Sequence, residues 1–146
     1  MQQAVIFDID GTLADNSIRQ KILMDNSRDW HTFFKNMGDD APVPAVLEIY
    51  QVLQKTNTYK MLIVSGRPDN YRKLTEQWLV WNNIIFDELY MRSAKDQRSD
   101  VDVKRDILQH LREKYDIAFV FDDRSAVVEM WRNEGITCFQ CQDNNF

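Results

Sequence analysis

This sequence has little excess positive charge, cysteine, histidine or long apolar stretch, and each shortage removes a class of function. With 18 Lys and Arg against 23 Asp and Glu, the net charge of −5 argues against broad, non-specific nucleic-acid binding, which relies on many cationic contacts. It does not exclude a local basic groove built from Arg19, Arg67, Arg72, Lys73, Arg92, Lys95, Arg98, Lys104 and Arg105. No run is long enough to span a bilayer, and the chain passes straight into an apolar strand, so neither a membrane anchor nor a signal peptide is expected. The two cysteines form Cys138-x-x-Cys141, with no second ligand pair for zinc and no thioredoxin-like helix after them. Two reduced thiols on a C-terminal strand and a cytoplasmic location are the expectation. His31 and His110 have no evident partner. Four glycines and three prolines leave no linker, repeat or low-complexity tract.

What is present reads as one globular domain, residues 1–146, with 44% hydrophobic and 12% aromatic residues. The chain is organised around Ala4-Val5-Ile6-Phe7-Asp8-Ile9-Asp10-Gly11-Thr12-Leu13. Its first half is a short, β-branched apolar run, the pattern of a strand buried on both faces. Two carboxylates follow, and a side-chain period of two puts Asp8 and Asp10 on one side of the backbone. At ~4 Å two such charges repel by about 4 kcal/mol at an effective dielectric of 20, so a cation or a shared proton is expected between them. A hard divalent cation held by oxygen fits that requirement.

Apolar strands alternate with amphipathic helices along the rest of the chain. Strands are expected over 59–68, which ends in small and polar residues, and over 84–91, 117–121 and 136–139. Helices are expected over 27–34 (capped by Ser27), 44–55, 69–83, 100–114 and 125–133, the last stopped by Gly135. Alternation of this kind predicts an α/β fold: a Rossmann-like three-layer sandwich around a mostly parallel five-stranded sheet. Such a sheet gathers the carboxyl ends of its strands along one edge, where ligands bind. Asp8 and Asp10, Ser65 and Arg67, and Asp122 and Asp123 each end a strand, so they should converge there.

The segment Phe7-Asp8-Ile9-Asp10-Gly11-Thr12 resembles the first motif of the haloacid dehalogenase superfamily of phosphotransferases. Val64-Ser65-Gly66-Arg67 is similar to the second, Lys104 stands at the place of the third, and Phe121-Asp122-Asp123-Arg124 resembles the fourth. The resemblance implies Asp8 as nucleophile, Asp10 as general acid and base, and Ser65 and Lys104 on the phosphate. It also implies Mg2+ held by Asp8, the main-chain carbonyl of Asp10, and one or both of Asp122 and Asp123. The intervals between motifs hold about one or two helices and no large cap domain, which leaves the site open to a phosphate on a macromolecule.

Over its whole length the chain resembles the 3′-phosphatase domain of phage-type polynucleotide kinase/phosphatase, most specifically in the run from Asp122 to Arg132. That resemblance implies nucleic acid 3′-phosphate ends as substrate, gripped by Arg19, Ser65, Gly66, Arg67, Arg92 and Lys104, with Asp100 orienting Lys104 one turn on. It also implies a kinase domain or a ligase acting in the same pathway. No G-x-x-x-x-G-K-[ST] occurs here, so 5′ phosphorylation is not expected of this chain, whether it is free-standing or cut from a longer protein. Three rival readings stay open: a small-molecule phosphatase such as a nucleotidase, a module that only binds phosphorylated ends, and a structural subunit of a repair complex.

Overall fold

The computed structural model describes residues 1–25 and 36–144; the helix expected over 27–34 lies outside the described residues. Strand β1 (Gln2–Phe7) is central in a five-stranded sheet. It is flanked on one side by β4 (Lys60–Pro68) and β5 (Glu88–Arg92), and on the other by β6 (Tyr115–Arg124) and β7 (Cys138–Asn144). All four pairings are parallel. Strands β2 (Ala14–Asp15) and β3 (Ala41–Pro42) form a small antiparallel pair just beyond β1.

The alternation along β1 builds two cores. Ala4 and Ile6 pack under α4 (Asp100–Arg112) and α5 (Ser125–Asn133) with Leu108, Leu111, Val127 and Trp131. Val5 and Phe7 face α2 (Pro44–Thr56) and α3 (Arg72–Trp81) with Val46, Tyr50, Trp78 and Leu79. This is the expected three-layer sandwich, with no large cap among the described residues. Pro44 opens α2, where its missing N–H costs nothing, and Gly135 ends α5 at φ +83°, a backbone conformation that strains other residues.

Two elements differ from the pattern in the sequence. Helix α1 (Ser17–Asp25) occupies a stretch that hydropathy leaves as polar loop. Among its described side chains the buried ones are Leu23 and a charged one, Arg19, at 3% exposure, and a buried guanidinium leaves no mark in a hydropathy pattern. The third strand starts at Glu88, not Ile84: Asn83 turns left-handed at φ 57°, and Ile84 donates back to the Leu79 carbonyl at 3.0 Å. Ile84 is buried as the plug of a helix end, which reads like strand in a one-dimensional pattern.

Glu88 ties the far edge of the sheet together. Lys114 Nζ lies 2.8 Å from one carboxylate oxygen, and the hydroxyls of Tyr90 and Tyr115 donate to the same group. Burial pushes the Glu88 carboxyl up, but the bonds from Lys114, Tyr115 and Tyr90 outweigh it and hold it down at about 2. A depressed folded-state value stabilises the protein above the unfolded value of ~4.3, and the gain is lost as pH falls toward about 2. Glu88→Gln should therefore cost about 1 kcal/mol in urea unfolding at pH 7, after discounting for its partial exposure, and the gap to wild type should close between pH ~4 and ~2.

Candidate active site

The carboxyl edge of the sheet brings together every strand-end residue singled out from the sequence. The Asp8 N–H donates to the Phe121 carbonyl at 3.0 Å, which carries the β1–β6 ladder one residue past the strand and sets Asp8 beside Asp122. Lys104 enters from α4, fully buried, with Nζ 2.8 Å from Asp8 Oδ1 and 2.9 Å from Asp122 Oδ2. Thr12 Oγ1 lies 3.1 Å from Asp8 Oδ2 and 3.3 Å from Asp123 Oδ1, so its single proton bridges the two. Asp122 is held further by the indole N–H of Trp131 at 3.1 Å and the backbone N–H of Asp123 at 2.8 Å. The Asn144 side chain donates to Asp123 Oδ2 at 2.6 Å. Gly11, at φ +82°, leaves room for Asp123, whose carboxylate stands where a β carbon would be.

Positive charge is short in this cluster. One carboxylate oxygen from each of Asp8, Asp122 and Asp123 lies within 4.8 Å of the others, and Lys104 is the ammonium bonded to two of them. Burial pushes the Asp8 carboxyl well above its usual range; the Asp122 charge adds to this and Lys104 only partly opposes it. Asp123 is raised as well, chiefly by burial. Lys104 goes the other way in charge preference: burial lowers its pKa, but Asp122, Asp8 and Asp100 outweigh that and keep it protonated. The donors are all hard oxygens, so the group fits a divalent ion of the Mg2+ or Ca2+ type that would balance the remaining negative charge.

Asp10 does not share a cation with Asp8. Its carboxylate turns to Arg67, at 2.8 Å from Nε and 2.7 Å from Nη2, and to Arg19 Nη2 at 2.6 Å. The two carboxylates face different cationic side chains, Lys104 for Asp8 and Arg67 with Arg19 for Asp10, since the chain leaves extended conformation after Phe7. Burial raises the Asp10 carboxyl, yet the two guanidinium groups overcome this and hold it below the usual carboxylate range. Arg19 is fixed from behind by Asp40, with Nε 2.8 and 2.9 Å from its two oxygens, and Arg67 by Thr75 Oγ1 at 3.1 Å.

Ser65 is fully buried and accepts from the Arg67 N–H at 3.1 Å. Gly66 is where Asp100 approaches the backbone; a β carbon there would stand 2.5 Å from its Oδ1. The Asp100 carboxylate is bonded to Arg92 and, at 2.7 Å, to Arg124 Nη1, and it reaches Lys104 through its field. Arg92 donates to the Gly66 carbonyl at 2.7 Å. Arg19 and Arg92 are thus folded into the site, at 3% and 13% exposure, and not the surface arginines that loop spacing alone allows. Sequence reasoning missed Thr12, Asp40, Thr75, Trp131 and Asn144, which hold the acidic and basic groups in place. Only Thr12 and Trp131 lie in stretches already quoted as motifs. Cys138 and Cys141 are free thiols on opposite faces of β7, each in a different core.

The family model for the phosphatase domain of polynucleotide kinase PNKP matches residues 2–146. The chain belongs to this family. The matching model is of the haloacid dehalogenase type. A protein of Autographa californica nuclear polyhedrosis virus, named for a bifunctional polynucleotide kinase/RNA ligase, is 28% identical over 97% of this chain. A chain from the structure of a Pnkp1/Rnl/Hen1 complex is 34% identical, with a TM-score of 0.83 over 100% of this chain. This phosphatase domain spans 20% of the viral protein and 48% of the Pnkp1 complex chain. A haloacid dehalogenase-like hydrolase from Streptococcus pneumoniae shares the fold at 16% identity and a TM-score of 0.67. Among the described residues no helix is long and apolar enough to cross a membrane.

Proposed function

We propose that this domain is a Mg2+-dependent phosphomonoesterase that removes 3′-phosphates from nucleic acid ends through a phosphoryl group carried on Asp8. The observation that carries the reading is the convergence of Asp8, Ser65, Lys104, Asp122 and Asp123 at one sheet edge, in a chain of the polynucleotide kinase phosphatase family. Asp8, Asp122 and Asp123 would hold the ion, with the Asp10 carbonyl as a further oxygen. When bound, it supplies the positive charge that a dianion and a carboxylate need in order to approach each other.

An Asp8 oxygen attacks phosphorus and the bond from phosphorus to the 3′-oxygen breaks. Lys104 and the Ser65 hydroxyl steady the transferring phosphoryl group. Asp10 delivers a proton to the departing 3′-oxygen, then takes one from the water that attacks the acyl phosphate, which frees Asp8 and inorganic phosphate. In the ligand-free geometry Arg67 and Arg19 favour the ionised form of Asp10. An arriving phosphate dianion competes for those guanidinium groups, which weakens their hold and lets Asp10 carry the proton that the first step requires. The open carboxyl edge suits a substrate whose bulk extends away from the phosphate. A ligase or kinase segment in the same pathway would follow from the company that the relatives keep.

A 3′-phosphorylated oligonucleotide should release inorganic phosphate in Mg2+, and EDTA should abolish the release. Turnover should exceed that of 5′-mononucleotides by at least about tenfold in kcat/KM, a difference of ~1.4 kcal/mol. Faster hydrolysis of the free nucleotides would overturn the polynucleotide reading in favour of a nucleotidase.

A further inference from the structure

On the flank of α4 that faces edge strand β5 lies an open hollow of about 280 Å³. Its floor is Met91, Val103 and Ile107; one wall is the Tyr90 ring, set edge-on to His110 with centroids 5.9 Å apart; Arg92 and Arg98 form the rim. From this structure we infer that the cavity seats a nucleobase of the strand being processed, within two nucleotides of the 3′-phosphate. The inference rests on the polynucleotide reading above and adds a place for the base.

Three observations support it. The cavity is joined to the reaction centre by one side chain, because Arg92 lines it and also donates to the carbonyl of Gly66, next to Ser65. Arg92 thus spans from the residue next to Ser65 to the rim of the hollow. The lining is mixed in a way that suits a base better than a phosphate or a purely apolar ligand: an apolar floor and an aromatic edge, with Arg98 bonded to both Asp96 and Asp106, so that the local charge is nearly balanced. At the low end of ligand-site sizes, which run ~300–1,000 Å³, the space suits one planar ring with part of its sugar. Aromatic and guanidinium planes hold bases of any sequence by stacking, which is the selectivity that end-processing needs. His110 is exposed on α4, and none of the bonds that hold the reacting carboxylates involves it.

The test compares kcat/KM for three substrates: a 3′-phosphorylated oligonucleotide, the same oligonucleotide with an abasic terminal or penultimate nucleotide, and p-nitrophenyl phosphate. For wild type, one of the abasic substitutions should lower kcat/KM about tenfold, the usual scale of one stacked base. His110→Ala should lower the ratio of intact oligonucleotide to p-nitrophenyl phosphate by a similar factor, through KM, and should erase the penalty for the missing base. Arg98→Ala, at an exposed rim position, should shift the same ratio in the same direction. If wild type prefers the oligonucleotide but ignores both abasic sites, or if His110→Ala keeps the full abasic penalty, the base site is wrong and the function stands. If wild type shows no preference for the oligonucleotide over p-nitrophenyl phosphate, the polynucleotide reading fails, and the base site fails with it.

Discussion

Asp8→Asn should be inactive and at least as stable as wild type. The activity loss follows from the proposed role of Asp8 as phosphoryl acceptor: losing a nucleophile outright costs on the order of 10⁴–10⁶ in kcat. The stability outcome follows from the contacts. The amide oxygen can still accept from Lys104, which lies 2.8 Å from Asp8 Oδ1. The amide nitrogen, in the place of Oδ2, can donate to Thr12 Oγ1 3.1 Å away, and the Thr12 proton then turns wholly to Asp123 Oδ1 at 3.3 Å. Every bond is preserved, and one of three crowded carboxylates is gone. Wild-type Asp8 is buried with its carboxyl pushed above the usual range by that burial and by Asp122, so the folded state resists its charge. Calorimetry should show a melting temperature equal to or above wild type, and acid-quenched reactions with a 3′-³²P end should leave label on wild-type protein but none on the variant. Retained phosphatase activity in a folded Asp8→Asn protein would remove Asp8 from the mechanism altogether.

The sequence makes the layer order and the candidate site legible for a physical reason. The central strands carry apolar runs toward their carboxyl ends, so the polar residues that break those runs stand out: Asp8 just past β1, Ser65 after Val64 inside β4, Asp122 after Phe121 inside β6. A parallel sheet then places all of those ends at one edge without further information. The supporting residues have no such marker. Asp40 reaches Arg19 from a turn, Thr75 reaches Arg67 from the interior of a helix, and Asn144 reaches Asp123 from the last described residue of β7. Each is a polar residue in a polar neighbourhood, and its value comes from a contact far along the chain. Helix α1 was hidden in the same way, since its buried face carries a guanidinium whose partners, Asp10 and Asp40, lie 9 and 21 residues away. A hydropathy period records burial in apolar surroundings; it is blind to burial by ion pairing.

Lys104→Met tests how far the carboxylate cluster depends on a single cation. The methionine fills nearly the same volume, so the effect is charge, not a cavity. Lys104 is the buried ammonium bonded to both Asp8 and Asp122, and breaking a buried ion pair by removing one partner costs about 3–5 kcal/mol. Arg67 and Arg19 cannot replace it because Asp10 and Asp40 occupy them. The loss should depend on pH with a definite sign. Without the ammonium, the folded-state pKa values of Asp8 and Asp123, already raised by burial, rise further above their unfolded value of ~3.9. Groups raised on folding stabilise below the unfolded value and lose that contribution as pH climbs through the folded one, so Lys104→Met should fall furthest below wild type at pH 8 and approach it toward pH 5. Mg2+ should raise the melting temperature of this variant more than that of wild type, since three carboxylates then face the ion without a competing ammonium. Phosphatase activity should stay low even in Mg2+, because the proposed mechanism puts the same ammonium on the phosphoryl oxygens. A pH-independent loss of stability that Mg2+ does not relieve would mean that Lys104 acts through packing, and that the acidic cluster is not a cation site.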